Sequence, residues 1–295
     1  MSTQSSPPAP PPAPDPNAAP DLAALRAEID RIDDAMHDLV MRRAEVVGRL
    51  TQSRAKGAGP ALRPGREALI LRRLLGRHSG GLPRSGLVRI WRAVINAHTS
   101  MQGPFAVAVF NTAPGSGYVA LAREHFGATT PARALNSPAQ VLGAVSNADV
   151  AVGVLPLPGE DADTTWWTAL LPRDAPRLWA VARLPFWAPR VEGAPRAQAL
   201  VVGAIPPEPT GADRSLIAFE VEGEVSRTRI SAALTGVGLP PSAMLVCRRQ
   251  GLPSAVLVEV DGFVAETDPR LAGLAQAGAE KPVLAGAYAI PLDEA

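Results

Sequence analysis

Cysteine is almost absent: Cys247 stands alone in an apolar, strand-like run. One thiol excludes a disulfide framework and a thiol metal site, and it fits a reducing cytoplasm. No apolar run is long enough to span a bilayer, and the N-terminus lacks the basic start and apolar core of a signal peptide. Neither a membrane nor an exported location is expected. Lysine is scarce in the basic part of the chain, where Lys56 is the only one among residues 21–102. There is no solid basic run and no zinc or RNA-binding signature, so nucleic acid is not the expected partner.

Charge is present but divided. The 295 residues sum to +1. Residues 21–102 carry 15 Lys/Arg against 8 Asp/Glu, and residues 103–295 carry 14 against 19. The basic part suits a small anionic substrate. Residues 1–20 contain PPAPPPAPDP, lack apolar periodicity and read as a disordered tail.

The long stretch from Asp21 to Arg54 dominates the basic part. Leu22, Leu25, Ile29, Ile32, Met36, Leu39, Arg43, Val46 and Leu50 recur in three- and four-residue steps, the seam of one amphipathic helix. Such a helix spans about 50 Å and must either stand in solvent or bury its seam in a second copy of the chain. The second option is expected. Arg43 occupies a seam position, and a buried guanidinium needs an anion, either a carboxylate of the protein or a bound ligand.

Gly57-Ala58-Gly59-Pro60 breaks this helix. Pro64 suits the first turn of a second helix through about Leu75, with Ile70, Leu71, Leu74 and Leu75 apolar and Glu67 facing inward beside them. A third helix is expected from Arg84 to Met101, with Leu87, Trp91, Val94, His98 and Gln102 along one stripe. From Phe105 the pattern becomes β-α-β-α-β, a parallel sheet with crossover helices, extended by one helix and two strands. From Ser215 the order is β-α-β-β-α-β, the ferredoxin-like arrangement. The expected architecture is multidomain: a tail at 1–20, an all-α three-helix domain at 21–102, an α/β lobe at 103–212 and a ferredoxin-like domain at 213–295.

Three motifs carry chemistry. Leu25-Arg26-Ala27-Glu28-Ile29-Asp30, the Arg42-Arg43 pair, Arg66-Glu67 and the terminal Gln102 together resemble the all-helical chorismate mutases. The resemblance implies an intertwined homodimer that converts chorismate to prephenate without metal or cofactor. Arg26 would reach the neighbouring subunit's site for one substrate carboxylate, and Arg43 would hold the other. Arg54, standing where the family has lysine (with Lys56 as fallback), and Gln102 would flank the ether oxygen. Glu67 would take the substrate hydroxyl, next to Arg66. Arg63 stands where an acid is common, and His98 where a small hydroxyl residue is common. The rearrangement is pericyclic, so the protein need only hold the reactive conformer and place donors where charge grows. Arginine forks suit both carboxylates. A regulatory or scaffolding protein with a decayed mutase site is the alternative, and the arginine in place of lysine argues for it.

Gly115-Ser116-Gly117-Tyr118-Val119-Ala120 follows a strand and opens a helix, but the acid that dinucleotide binding needs is replaced by Asn136. The run from Phe110 through Ala122-Arg123-Glu124-His125-Phe126-Gly127 to Gly153-Val154-Leu155-Pro156 resembles instead the first lobe of prephenate dehydratases. The family's catalytic Thr-Arg-Phe falls on Ala197, Gln198 and Ala199, and the chain between Pro185 and Ala197 is too short for a second lobe. No dehydratase activity is expected. The C-terminal unit is similar to amino-acid-binding ACT domains, but its ligand turn reads Glu224-Val225-Ser226-Arg227 and no second ligand motif stands around Cys247–Gln250. An amino-acid effector and a plain packing module both stay open. His37, His78 and His125 read as surface or partly packed residues.

Overall fold

The computed structural model describes residues 21–54, 61–113, 115–161, 164–172, 176–188, 190, 192–223, 225–249, 251–276 and 278–293. The N-terminal tail, Lys56, Glu224 and Gln250 lie outside them. Two units emerge, one ending at Arg49 and one starting at Leu50.

The first unit is the bulk of α1, Leu22–Arg54, a helix of 33 residues. Asp21 opens it, its side chain accepting from the Ala23 amide at 3.0 Å. The helix is exposed on every side from 21 to 39, its expected seam included: Ile29 is 56% exposed and Leu39 65%.

In the second unit, α2 (Pro64–Gly76) starts at proline, whose missing N–H is one of the first-turn donors that lack a helical acceptor anyway. Then come α3 (Arg84–Ser100), β1 (Val107–Phe110), α4 (Tyr118–Phe126), β2 (Ala132–Leu135), α5 (Pro138–Ser146) and β3 (Val152–Pro156). Ser137 caps α5 by accepting from the Gln140 amide at 3.2 Å, with Pro138 behind it. A 3₁₀ turn at Thr165–Leu170 stands where the sequence suggests a helix, followed by β4 (Trp179–Leu184) and β5 (Ala199–Gly203). The last part runs β6 (Asp213–Val221), α6 (Arg227–Gly236), β7 (Pro241–Cys247), β8 (Ser254–Asp261), α7 (Pro269–Gln276) and β9 (Glu280–Ala289).

All described strands join one sheet, in the order β2-β1-β3-β5-β4-β9-β6-β8-β7. The β-α-β-α-β run is parallel, as its crossover helices require. β5 and β4 then run antiparallel, and the last four strands pair antiparallel in the order of a ferredoxin-like unit. The two halves meet where β4 pairs parallel with β9, at Ala180 and Gly286. A Cβ on Gly286 would lie 2.2 Å from the Ala180 carbonyl oxygen, so only glycine lets these strands close.

The second and third helices also belong to this body. Ala68, Leu71 and Leu75 of α2 and Val88 of α3 share one apolar cluster with Phe186 and with Ala289 of β9. Arg72 fastens α2 further, donating to Thr210 Oγ1 at 2.7 Å and to the carbonyls of Ala212 (2.8 Å) and Ile290 (3.0 Å). On α3 the buried positions are Val88, Arg92, Ile95, His98 and Thr99, while Leu87, Trp91 and Val94 are half-buried. The buried stripe is thus offset from the expected one, because Arg92 finds a carboxylate inside. Among the described residues no helix is long and apolar enough to cross a membrane.

Candidate active site

The chemistry-bearing residues fall into separate groups. On α1, Arg26 is exposed and Arg43 is half-buried along the apolar seam. Arg54 is the last helical residue, and its side chain, like Lys56, lies outside the described residues.

At the start of α2, Arg63 is exposed and forms an ion pair with Glu208, its Nε also reaching that carboxylate at 3.3 Å. A cleft of about 570 Å³ opens beside it, bounded by Leu50 and Ser53, Pro64 and Gly65, and Tyr288. Arg66, one turn on, is exposed.

Glu67 is buried, as its spacing implies, and accepts from Arg92 Nη1 at 2.6 Å. The Arg92 guanidinium also lies over the Phe186 ring, 4.9 Å from its centre. Burial raises the Glu67 pKa and lowers that of Arg92, each partner opposing the shift in the other. The void beside this pair is about 10 Å³ and is bordered by Pro64, His125 and Val181 among others. That is room for about one water and for no ring-sized substrate. Arg92 has no place among the residues singled out in the sequence. Its signal was a basic residue three positions from both Arg89 and Ile95 on a helix whose neighbour turns a glutamate inward.

His125 corrects the expectation of a surface or partly packed residue. It is buried against Phe126 and Phe186, and burial together with the Arg92 charge holds its pKa well below 6.5. His37 is exposed, and His78 meets the Leu82 carbonyl at 2.7 Å.

His98 is buried on α3 and donates from Nδ1 to the Val94 carbonyl at 2.5 Å. A neutral ring bonded in this way leaves Nε2 as an acceptor. That atom is buried with no hydrogen-bond partner among the described residues. Gln102, one turn on and half-buried, donates to the His98 carbonyl at 3.1 Å. The second unit therefore gathers Arg63, Arg66 and Glu67 at the start of α2 and His98 and Gln102 at the end of α3, while Arg26 and Arg43 belong to the first.

Residues 25–103 match the family described as chorismate mutase type II. This helical segment is a chorismate mutase domain. The chain is 30% identical over 144 residues to the bifunctional chorismate mutase/prephenate dehydratase of Pseudomonas aeruginosa, covering 46% of this chain and 38% of that protein. The alignment is longer than the mutase domain and the tail before it together, so it runs on into the α/β region. The bifunctional protein of Aquifex aeolicus is 34% identical over 92 residues, 30% of this chain and 25% of its own length. The chain thus spans well under half of the curated relatives it matches. Among solved structures, the prephenate dehydratase of Streptococcus mutans aligns with a TM-score of 0.46 at 12% identity, over 62% of this chain and 97% of that one. The enzyme of Arthrobacter aurescens, in complex with L-Phe, aligns at 0.47 and 13% identity, over 62% and 90%.

Proposed function

We propose that the chain is a chorismate mutase working as a homodimer through α1, converting chorismate to prephenate in phenylalanine and tyrosine synthesis. The observation that carries this reading is the bare apolar face of α1 with Arg43 set into it, inside a segment matching the mutase family. An exposed seam of this length is costly in water and favours a second copy. Two α1 helices laid together would turn Arg43 of one copy and Arg26 of the other toward a common substrate, one fork for each carboxylate. Held in this way, the enolpyruvyl arm sits over the ring and the entropic part of the barrier falls. Arg54 and Gln102 supply donors to the ether oxygen as its bond stretches. His98 Nε2, buried and without a hydrogen-bond partner among the described residues, suits the substrate hydroxyl. Glu67 reaches that hydroxyl only after exchanging Arg92 for substrate.

Loss of chorismate absorbance measured on the purified chain tests the proposal. Wild type turns over, and Arg43→Ala lowers kcat/KM by about 100-fold or more. Unchanged turnover in that variant would refute the assignment.

A second reading has observations of its own. Arg63 and Glu67 already hold Glu208 and Arg92, and arginine replaces the family's lysine at Arg54, as in a regulatory or scaffolding protein with a decayed site. Wild type without turnover would favour it.

The α/β region carries no dehydratase activity in this proposal. Ala197, Gln198 and Ala199 stand in place of the catalytic triplet. Ala199 is buried in β5, and Gln198 accepts from Arg183 at 3.2 Å. Prephenate incubated with the chain yields no phenylpyruvate, and its appearance would overturn this part. The C-terminal βαββαβ unit would serve as an ACT-like module, with an amino-acid effector its open partner.

A further inference from the structure

A second cleft, of about 320 Å³, lies between α3, the end of α4 and the segment after β4. It touches the proposed mutase site only through Arg92, the partner of Glu67. Among the described residues four arginines line it, Arg89 and Arg92 from α3, Arg123 from α4 and Arg190 from the segment, against one carboxylate, Glu124. Two of the four charges are answered: Arg92 by Glu67, and Arg190 by Glu124 through paired bonds of 2.6 Å. Arg89 and Arg123 are exposed and have no acidic partner among the described residues. Ser85, in the first turn of α3, also lines the cleft, so the positive end of a 17-residue helix adds to the field. Val88, Leu121, Phe186 and Trp187 supply apolar walls.

We propose that this cleft binds a small organic dianion with a ring or other apolar body, Arg89 and Arg123 gripping its two charges. Two unanswered guanidinium groups match two negative charges, and planar forks fit carboxylate and phosphate oxygens alike. The apolar walls distinguish such a ligand from inorganic phosphate, and the volume is that of a small-molecule site. The Arg190–Glu124 pair holds one wall, so that side of the site is formed before a ligand arrives.

Titration calorimetry on the full chain tests this with three probes: phthalate as a ring dicarboxylate, phenyl phosphate as a ring phosphate monoester, and benzamide as a neutral ring. At least one dianion binds, more weakly as salt is added, and benzamide does not. The double variant Arg89→Gln/Arg123→Gln loses about tenfold or more in affinity, from two charged hydrogen-bonding groups, and keeps chorismate turnover. Arg43→Ala keeps the affinity. The arm that responds tells dicarboxylate from phosphate ester. Binding of neither dianion, binding untouched by the double variant, or binding lost only with Arg43→Ala would overturn the proposal. None of these outcomes bears on whether the wild type consumes chorismate.

Discussion

Glu67 and Arg92 show how one buried pair shapes this chain. Taking both charges out of water is costly, and the 2.6 Å contact offsets that cost only while both partners stay. Arg92→Ala therefore strands a carboxylate and costs about 3–5 kcal/mol in denaturant unfolding, whereas Arg92→Met combined with Glu67→Leu recovers most of it. His125 adds a pH dependence. Its folded pKa lies well below the ordinary 6.5, so the unfolded chain takes up a proton that the folded chain refuses. Its stabilising contribution is complete above pH 6.5 and falls as pH drops toward the folded value, by up to about 1.4 kcal/mol per unit. Glu67, with a raised pKa, contributes with the opposite sign, being disfavoured as pH rises through its folded value. The depressed carboxylates Glu160 and Asp268 act only below their ordinary 4.5 and 3.8. Comparing wild type with His125→Phe between pH 6.5 and 5 subtracts the opposing Glu67 contribution: the wild type loses more stability on acidification than the variant does. Glu67 was legible because its spacing put it with Leu71 and Leu75. Arg92 and His125 were not, because Glu67 and Phe186, which bury them, lie far away along the chain and no local period reports them.

Elements were largely legible, since strand and helix periods differ and Pro and Gly mark their ends. Tyr118–Phe126 and Ala132–Leu135 stand where the sequence put them. The pairing of β4 and β5 was not legible. A buried run such as Trp179–Leu184 reads the same whether its neighbour is parallel or antiparallel. The joining of the lobe to the C-terminal unit depends on Gly286, a glycine inside a strand whose purpose appears only when Ala180 is placed against it. Gly286→Ala pushes a methyl into backbone and lowers stability by about 1–3 kcal/mol in thermal or denaturant unfolding. Arg72→Ala, which releases Thr210, Ala212 and Ile290 together, loosens α2 and raises amide exchange along it.

At the scale of the molecule, the basic helical part and the acidic remainder share a chain but divide the work proposed for them. The apolar seam of α1 was readable from its period. Its exposure in a single chain is what a partner copy would remove. Leu39→Lys, on the most exposed part of that seam, is expected to halve the mass seen by light scattering and to abolish chorismate turnover together.

In the proposed dimer each site is shared between copies, Arg43 from one and Arg26 from the other. Arg26→Ala and Arg43→Ala proteins, each inactive alone, are to be mixed, unfolded and refolded together, and then assayed for chorismate consumption. Random pairing gives heterodimers with one intact site, and turnover returns to about a quarter of wild type. A mixture as inactive as its components would contradict the shared site.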